Sequence, residues 1–324
     1  LPMRIDSTMK YPYAQALGAI QDSTYIYQMG RDIGQQMKQM GIHVNFAPVA
    51  DVSTNPQNPV INFRSFGEDK INVSQKAWYL AEGMHDEGVV AVAKHFPGHG
   101  DTETDSHLEL PVIRHSRERI DRVESFPFRY LSERGIAGMM SAHLNVPALD
   151  ARGVPSSLSS RVIEGYLREE IGFQGLVITD ALNMKGVQTE KGNTALEALK
   201  AGNDMVEFVP DLAKAISSVK EGLARGEISL EEIEYKCRRV MALKRWSKLH
   251  LYEPASTKDL AQRLNSPYFE VTSRKLIKGA FTVLTNKGML PVQDLGKLKI
   301  ASVMIGSGDP SPFQKMLERY TQTD

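Results

Sequence analysis

The chain has 324 residues, room for an α/β barrel or about two domains, and its 39 Lys and Arg balance 39 Asp and Glu to a formal net charge of zero. No overall field therefore steers it toward nucleic acid or an anionic membrane, and selectivity must come from local sites. A single cysteine excludes an internal disulfide, and no apolar run approaches the length of a membrane span.

No basic start followed by an apolar stretch marks a signal peptide, but the chain opens on "LPMRID" without an initiator Met and reads as a fragment. The first long amphipathic segment is "DSTYIYQMGRDIGQQMKQMG", where Ile26, Met29, Ile33, Met37 and Met40 step by three and four and predict a helix with a core-facing stripe. Further helices are expected in "SQKAWYLAEGMHDEG", "SRERIDRVESFPFRYLSERG", "SSRVIEGYLREEIG" and a last long helix that opens on a Ser229–Glu232 capping box. In that last helix Ile233, Cys237, Val240 and Met241 follow helical spacing, so Cys237 is expected to be a core thiol.

Between the helices lie short apolar runs: "HVNFAPVADV", "GVVAVAKHF", "GIAGMMSAH", "GLVITDAL" and "NDMVEF". They lack strict in/out alternation, which predicts strands buried on both faces, as in a parallel sheet covered by helices. Strand and helix alternate from about residue 42 to residue 250, the pattern of repeated βαβ units. Asp51, Lys94, His95, His143 and Asp180 fall at or just past the carboxyl ends of successive runs. In a barrel these ends converge on one mouth, so a (β/α)8 barrel is preferred to an open doubly wound sheet.

After Trp246 the composition changes to a linker, and a boundary is expected near residue 251. A helix at 266–280 and two strands, "FTVLTN" and "LKIASVMIG", should follow; Gly306 and Gly308 read as a plain strand-to-helix turn.

The segment "KHFPGHGDTETDSHLELP", Lys94 to Pro111, concentrates ionisable residues between Pro97, Gly98 and Gly100. As a metal site it is poor: Pro97 and the glycines forbid the helix that would aim His95 and His99 at one ion. Asp101, Glu103 and Asp105 begin like a calcium loop, but Ser106 and Val112 stand where that loop needs Gly and Glu. No metal and no cofactor are expected. A solvated charged loop accounts for the acids but not for Lys94 and His95, which directly continue a buried strand.

This segment resembles the signature of bacterial β-N-acetylglucosaminidases of glycoside hydrolase family 3. The stretches "VNFAPVADV", "FRSFGED", "GMMSAH", "LVITDALNM" and "AGNDMV" stand in that family's order and spacing over roughly residues 1 to 250. The resemblance implies a barrel catalytic domain over residues 1–250 with its first strands lying upstream, a linker at 251–270, and at 271–324 the start of an α/β sandwich domain. It implies a retaining exo-β-N-acetylglucosaminidase that removes terminal GlcNAc from amino sugars, peptidoglycan fragments foremost. The rivals are a phosphorylase of the same glycosides, the family's β-glucosidase branch, and a noncatalytic carbohydrate-binding barrel.

By the same resemblance Asp180 is the nucleophile, a role suited to a carboxylate because its glycosyl ester both forms and hydrolyses. The bland alternative for Asp180 is a helix N-cap after the strand. His107 matches the acid/base and Asp105 its orienting partner; an imidazole titrates near neutral pH and can give, then take, the proton. Lys94, His95, Arg64 and Arg4 match sugar-binding residues, with barrel-mouth salt bridges as the alternative. The implied partner is a small amino sugar or muropeptide, without nucleic acid or a membrane span, in the bacterial cytoplasm or periplasm; the oligomeric state is open. Because Gly98 and Gly100 are permissive and no apolar residue lies between His99 and Ser106, the loop is expected to swing Asp105 and His107 inward on binding.

Overall fold

The computed structural model describes residues 8–103, 109–187, 193–251, 253–306 and 308–321, in two compact units, Leu1–Phe281 and Thr282–Asp324. In the first unit all five apolar runs contain a strand: β1 (Val44–Asn45), β2 (Val90–Phe96), β3 (Gly138–Ser141), β4 (Leu176–Ala181) and β5 (Met205–Glu207). They form one five-stranded sheet in the order β1-β2-β3-β4-β5, and every pair is parallel. Each neighbouring pair therefore needs a crossover. Helices α1 (Ala14–Gly18) and α2 (Thr24–Gln39) precede β1, and α3 (Lys70–Asp86) precedes β2. A single turn, α4 (Arg117–Arg119), runs through a π-helical stretch at Ile120–Glu124 to α5 (Phe126–Glu133) before β3. A second π-helical segment, Arg161–Glu170, precedes β4, and α6 (Thr194–Lys200) precedes β5. The unit ends with α7 (Leu212–Ala224), α8 (Leu230–Trp246), α9 (Leu260–Leu264) and α10 (Pro267–Ala280).

Alternate strand residues divide between two cores, as the period of two requires. Ala91, Ala93, Met139 and Val177 join the helix-side core with Phe128 and Leu167, whereas Val90, Val92, Met140 and Ile178 cluster on the other face with Val44, Phe46, Met205 and Leu243. Both faces are buried, so the sheet is a curved half-barrel rather than a solvent-faced layer. β1 is shorter than its apolar run because Pro48 has no N–H to give the ladder; pairing resumes as one bridge between Val49 and Lys94. Of the expected α2 stripe, Ile26, Met29 and Met37 are buried and Ile33 packs against the core. The α2–α3 crossing brings backbones together: a Cβ on Gly83 would lie 2.2 Å from the Tyr27 carbonyl oxygen.

Two expectations need correction. Cys237 is exposed, because α8 turns Ile233, Lys236, Arg239 and Leu243 inward instead. That face is held by charge: Arg239 pairs with buried Asp204 at 3.0 Å, and Asp204 also pairs with Arg168 at 2.7 Å. The segments "FTVLTN" and "LKIASVMIG" do not form strands; apart from one bridge residue, Ile300, they carry no ladder, and a strand exists only through its partner. The helix expected at 266–280 is present as α10 and packs against α1 and α2 of the first unit, and the division between units falls after Phe281. The second unit contains α11 (Pro312–Leu317), opened by a Ser311–Gln314 capping box.

Candidate active site

The carboxyl ends of parallel strands share one rim, and ionisable side chains collect there. Asp51 follows β1, Lys94 and His95 belong to β2, His143 stands two residues past β3, Asp180 belongs to β4 and Glu207 closes β5.

Asp51 is completely buried. Its Oδ1 accepts the backbone N–H groups of His95 (3.1 Å) and His99 (2.7 Å), and its Oδ2 lies 2.7 Å from His95 Nδ1. Burial opposes its charge, but the His95 ring and then His99 outweigh burial and hold its carboxyl below the ordinary aspartate range. A carboxylate only accepts, so His95 carries a proton on Nδ1; in the neutral ring Nε2 then faces the Arg64 guanidinium, 3.5 Å away. Arg64 ends a helical turn at Asn62–Arg64, anchored by a bond from one guanidinium N–H to the Val60 carbonyl, while its buried Nε has no protein partner.

Lys94 is 8 % exposed, and burial followed by the charge of Arg64 pushes its pKa down to about 8, against the pull of Asp180, Asp51 and Glu207. Burial likewise works against the charge of Asp180; His95, His143, the Ala181 backbone N–H at 2.8 Å and Lys94 outweigh it and keep the carboxyl below its usual range. Asp180 is thus an ionised carboxylate among cationic and N–H groups. It is not a helix N-cap, since β4 runs through Ala181 and the next helical turn begins at Lys185. His143 donates from Nε2 to the Ala181 carbonyl (3.1 Å), so its Nδ1 accepts from the Ser157 hydroxyl (2.7 Å), and burial pushes its pKa down.

The described structure brings Arg64, Lys94, His95 and Asp180 to one rim. Arg4, Asp105 and His107 lie outside the described residues. Glu207 was missed by sequence reasoning, although it stands next to the end of the run "NDMVEF" and so met the same strand-end criterion as the others. Burial and then the charge of Asp180 push its pKa up, while Lys94 pulls it down.

The entry to the loop is firmer than expected. Asn58 Nδ2 donates to the His99 carbonyl (2.8 Å) and to Thr102 Oγ1 (3.1 Å), and His99 Nδ1 meets Thr102 Oγ1 at 2.8 Å. A Cβ on Gly100 would stand 1.8 Å from the Val52 carbonyl oxygen. Residues 98–102 are therefore anchored by polar bonds and a backbone contact, where the sequence suggested only a missing apolar anchor. The Nδ1 atoms of His95 and His99 are thus committed to Asp51 and Thr102. A separate apolar cavity of about 440 Å³, lined by Tyr11, Leu17, Met29, Phe66 and Leu80 among others, reaches Arg64 from the α1–α2 side.

Ionisable groups at the carboxyl rim of a parallel half-barrel are the layout of the α/β barrel enzymes. Comparison with known proteins gives the family: the chain belongs to glycosyl hydrolase family 3, whose N-terminal domain model matches residues 2–243. It is 32% identical over 300 residues to Beta-hexosaminidase A of Pseudoalteromonas piscicida, covering 85% of this chain and 49% of that protein. It is 32% identical over 246 residues to Beta-hexosaminidase LpqI of Mycobacterium tuberculosis, covering 72% of this chain and 62% of that one. A solved family 3 beta-N-acetylglucosaminidase from Paenibacillus sp. str. FPU-7 superposes with a TM-score of 0.83 at 34% identity, over 94% of this chain and 59% of that chain. The chain spans about half the length of the first curated relatives it matches.

Proposed function

We propose that this chain is the catalytic part of a retaining exo-β-N-acetylglucosaminidase that releases terminal GlcNAc from β-linked amino sugars, peptidoglycan fragments being the favoured substrates. The observation that carries the reading is Asp180, held ionised at the end of β4 beside Lys94 and His95. In this reading its carboxylate attacks the anomeric carbon to give a glycosyl ester, which water then cleaves. His107, oriented by Asp105, gives its proton to the leaving oxygen and afterwards takes one from water. Lys94, His95, Arg64 and Arg4 bind sugar hydroxyls; the unpartnered Arg64 Nε and the His95 Nε2, set by Asp51, support this for the described pair. The half-barrel is read as part of a (β/α)8 barrel, and the unit that follows Phe281 as the start of an α/β sandwich domain. The chemistry requires no cofactor. Among the described residues no helix is long and apolar enough to cross a membrane.

The test is a fluorinated N-acetylglucosaminide that esterifies the nucleophile faster than the ester hydrolyses, followed by peptide mass spectrometry. An adduct on the peptide containing Asp180 is expected, with retained anomeric configuration in the product from an ordinary aryl glycoside. An adduct on Glu207, or turnover with inversion, overturns the assignment. Adding phosphate to the same reaction separates hydrolysis from phosphorolysis by whether GlcNAc or its 1-phosphate accumulates.

A further inference from the structure

At the root of the loop that leaves β2, three side chains from three segments converge. Asp101 follows Gly100 at the outgoing root of the loop, and His115 lies on its return, three residues past Val112, which bridges to Asn145. Glu124 closes the π-helical stretch and is brought to the root by Gly98, whose backbone at φ +132° leaves no room for a Cβ against the Glu124 carbonyl. One ligand atom from each lies within 4.8 Å of the others.

The cluster is not satisfied by its own contacts. Glu124 is 3% exposed; its Oε1 accepts from Arg119 Nε at 3.0 Å, but its Oε2 is buried without a hydrogen-bond partner. A carboxylate oxygen in that state costs free energy unless something completes it. His115 Nε2 sits 2.5 Å from Asp101 Oδ2, and the Arg119 guanidinium is 3.8 Å from the same oxygen. Two carboxylates thus share a single guanidinium.

We propose that Asp101, His115 and Glu124 form a binding site for a divalent transition-metal ion of the zinc class, which ties together the two ends of the segment 102–114. One imidazole nitrogen and two carboxylate oxygens are a borderline donor set that suits zinc, with a further position left for water. The metal gives Glu124 Oε2 its missing partner and displaces Arg119, the resident cation. The site uses none of the residues assigned to the glycosidase reaction and departs from the sequence expectation of no metal.

The experiment is isothermal titration of the 324-residue chain with zinc chloride, without substrate, so that its outcome is independent of the glycosidase reading. One equivalent should bind to the wild type and to His107→Ala. His115→Ala and Asp101→Asn should each weaken binding by more than the roughly 100-fold that loss of an outer partner costs a metal site. Both substitutions are at partly exposed positions, and circular dichroism checks that the variants remain folded. Arg119→Ala should tighten binding, because a competing cation is gone. No bound equivalent in the wild type, undiminished binding by His115→Ala, loss of binding in His107→Ala, or weaker binding by Arg119→Ala overturns the proposal.

Discussion

Replacing Lys94 by Met keeps the stem and removes the charge, and the structure gives the size and pH window of the effect. The lysine pKa falls from 10.5 to about 8 on folding, because burial and then Arg64 outweigh the pull of Asp180, Asp51 and Glu207. That difference corresponds to ~3 kcal/mol that the folded state loses by holding this ammonium charged. Between about pH 8 and 10.5 the unfolded chain binds more protons than the folded one, so wild-type stability rises with pH across that window. Below it the full penalty is present. Lys94→Met should therefore be more stable than wild type at pH 7 by up to ~3 kcal/mol, with the advantage shrinking as pH climbs and largely gone above pH 10.5. Urea unfolding of both proteins at pH 7, 8, 9 and 10 measures it. Turnover should move the other way: sugar binding weakens, and the acid limb of the rate profile shifts to higher pH, because Lys94 is among the groups that hold the Asp180 carboxyl down. A variant less stable than wild type at pH 7, or a stability gap that ignores pH, refutes the reasoning.

Asp51→Ala removes the acceptor of three hydrogen bonds and leaves the buried His95 ring unpaired, so it should cost about 3–5 kcal/mol in urea unfolding; a loss below 1 kcal/mol shows that Asp51 does not organise the rim. Gly100→Ala places a methyl against the Val52 carbonyl and should destabilise by about 1–3 kcal/mol; unchanged stability means that the loop root shifts freely. Cys237 should react with a thiol reagent in the native protein at the rate of an exposed thiol, and protection until unfolding would restore the core reading.

The strands were legible because "GVVAVAKHF" and its counterparts are apolar at both parities, a pattern that a two-sided core requires and water does not permit. The rim was legible for the complementary reason: Lys94, His95 and Asp180 continue such runs without a break, and charge at the end of a buried strand needs a cause. Glu207 met the same test. Cys237 was misread because helical spacing ranks faces by apolarity, whereas α8 buries Lys236 and Arg239 beside Asp204. The segments after Phe281 carry strand-like composition but no ladder, and composition does not supply a partner.

The two ends of β4 explain why one set of buried charges pointed to function and the other stayed hidden. At its amino end the Val177 N–H and Arg168 both donate to Asp204 Oδ2, and Arg239 faces Oδ1, so each guanidinium there has a carboxylate oxygen opposite it. Such a network holds a strand in place and asks nothing of a ligand. At the carboxyl end Lys94 lies beside Arg64, like beside like, with its pKa driven down, and Glu207 lies beside Asp180 with its pKa driven up. Burial and a like-charged neighbour acting together in this way are a poor means of stabilising a fold and a good means of meeting a polyhydroxyl ring and a developing positive charge. The Lys94→Met experiment separates the two purposes, since only a functional rim gains stability when its lysine is removed and loses turnover with it.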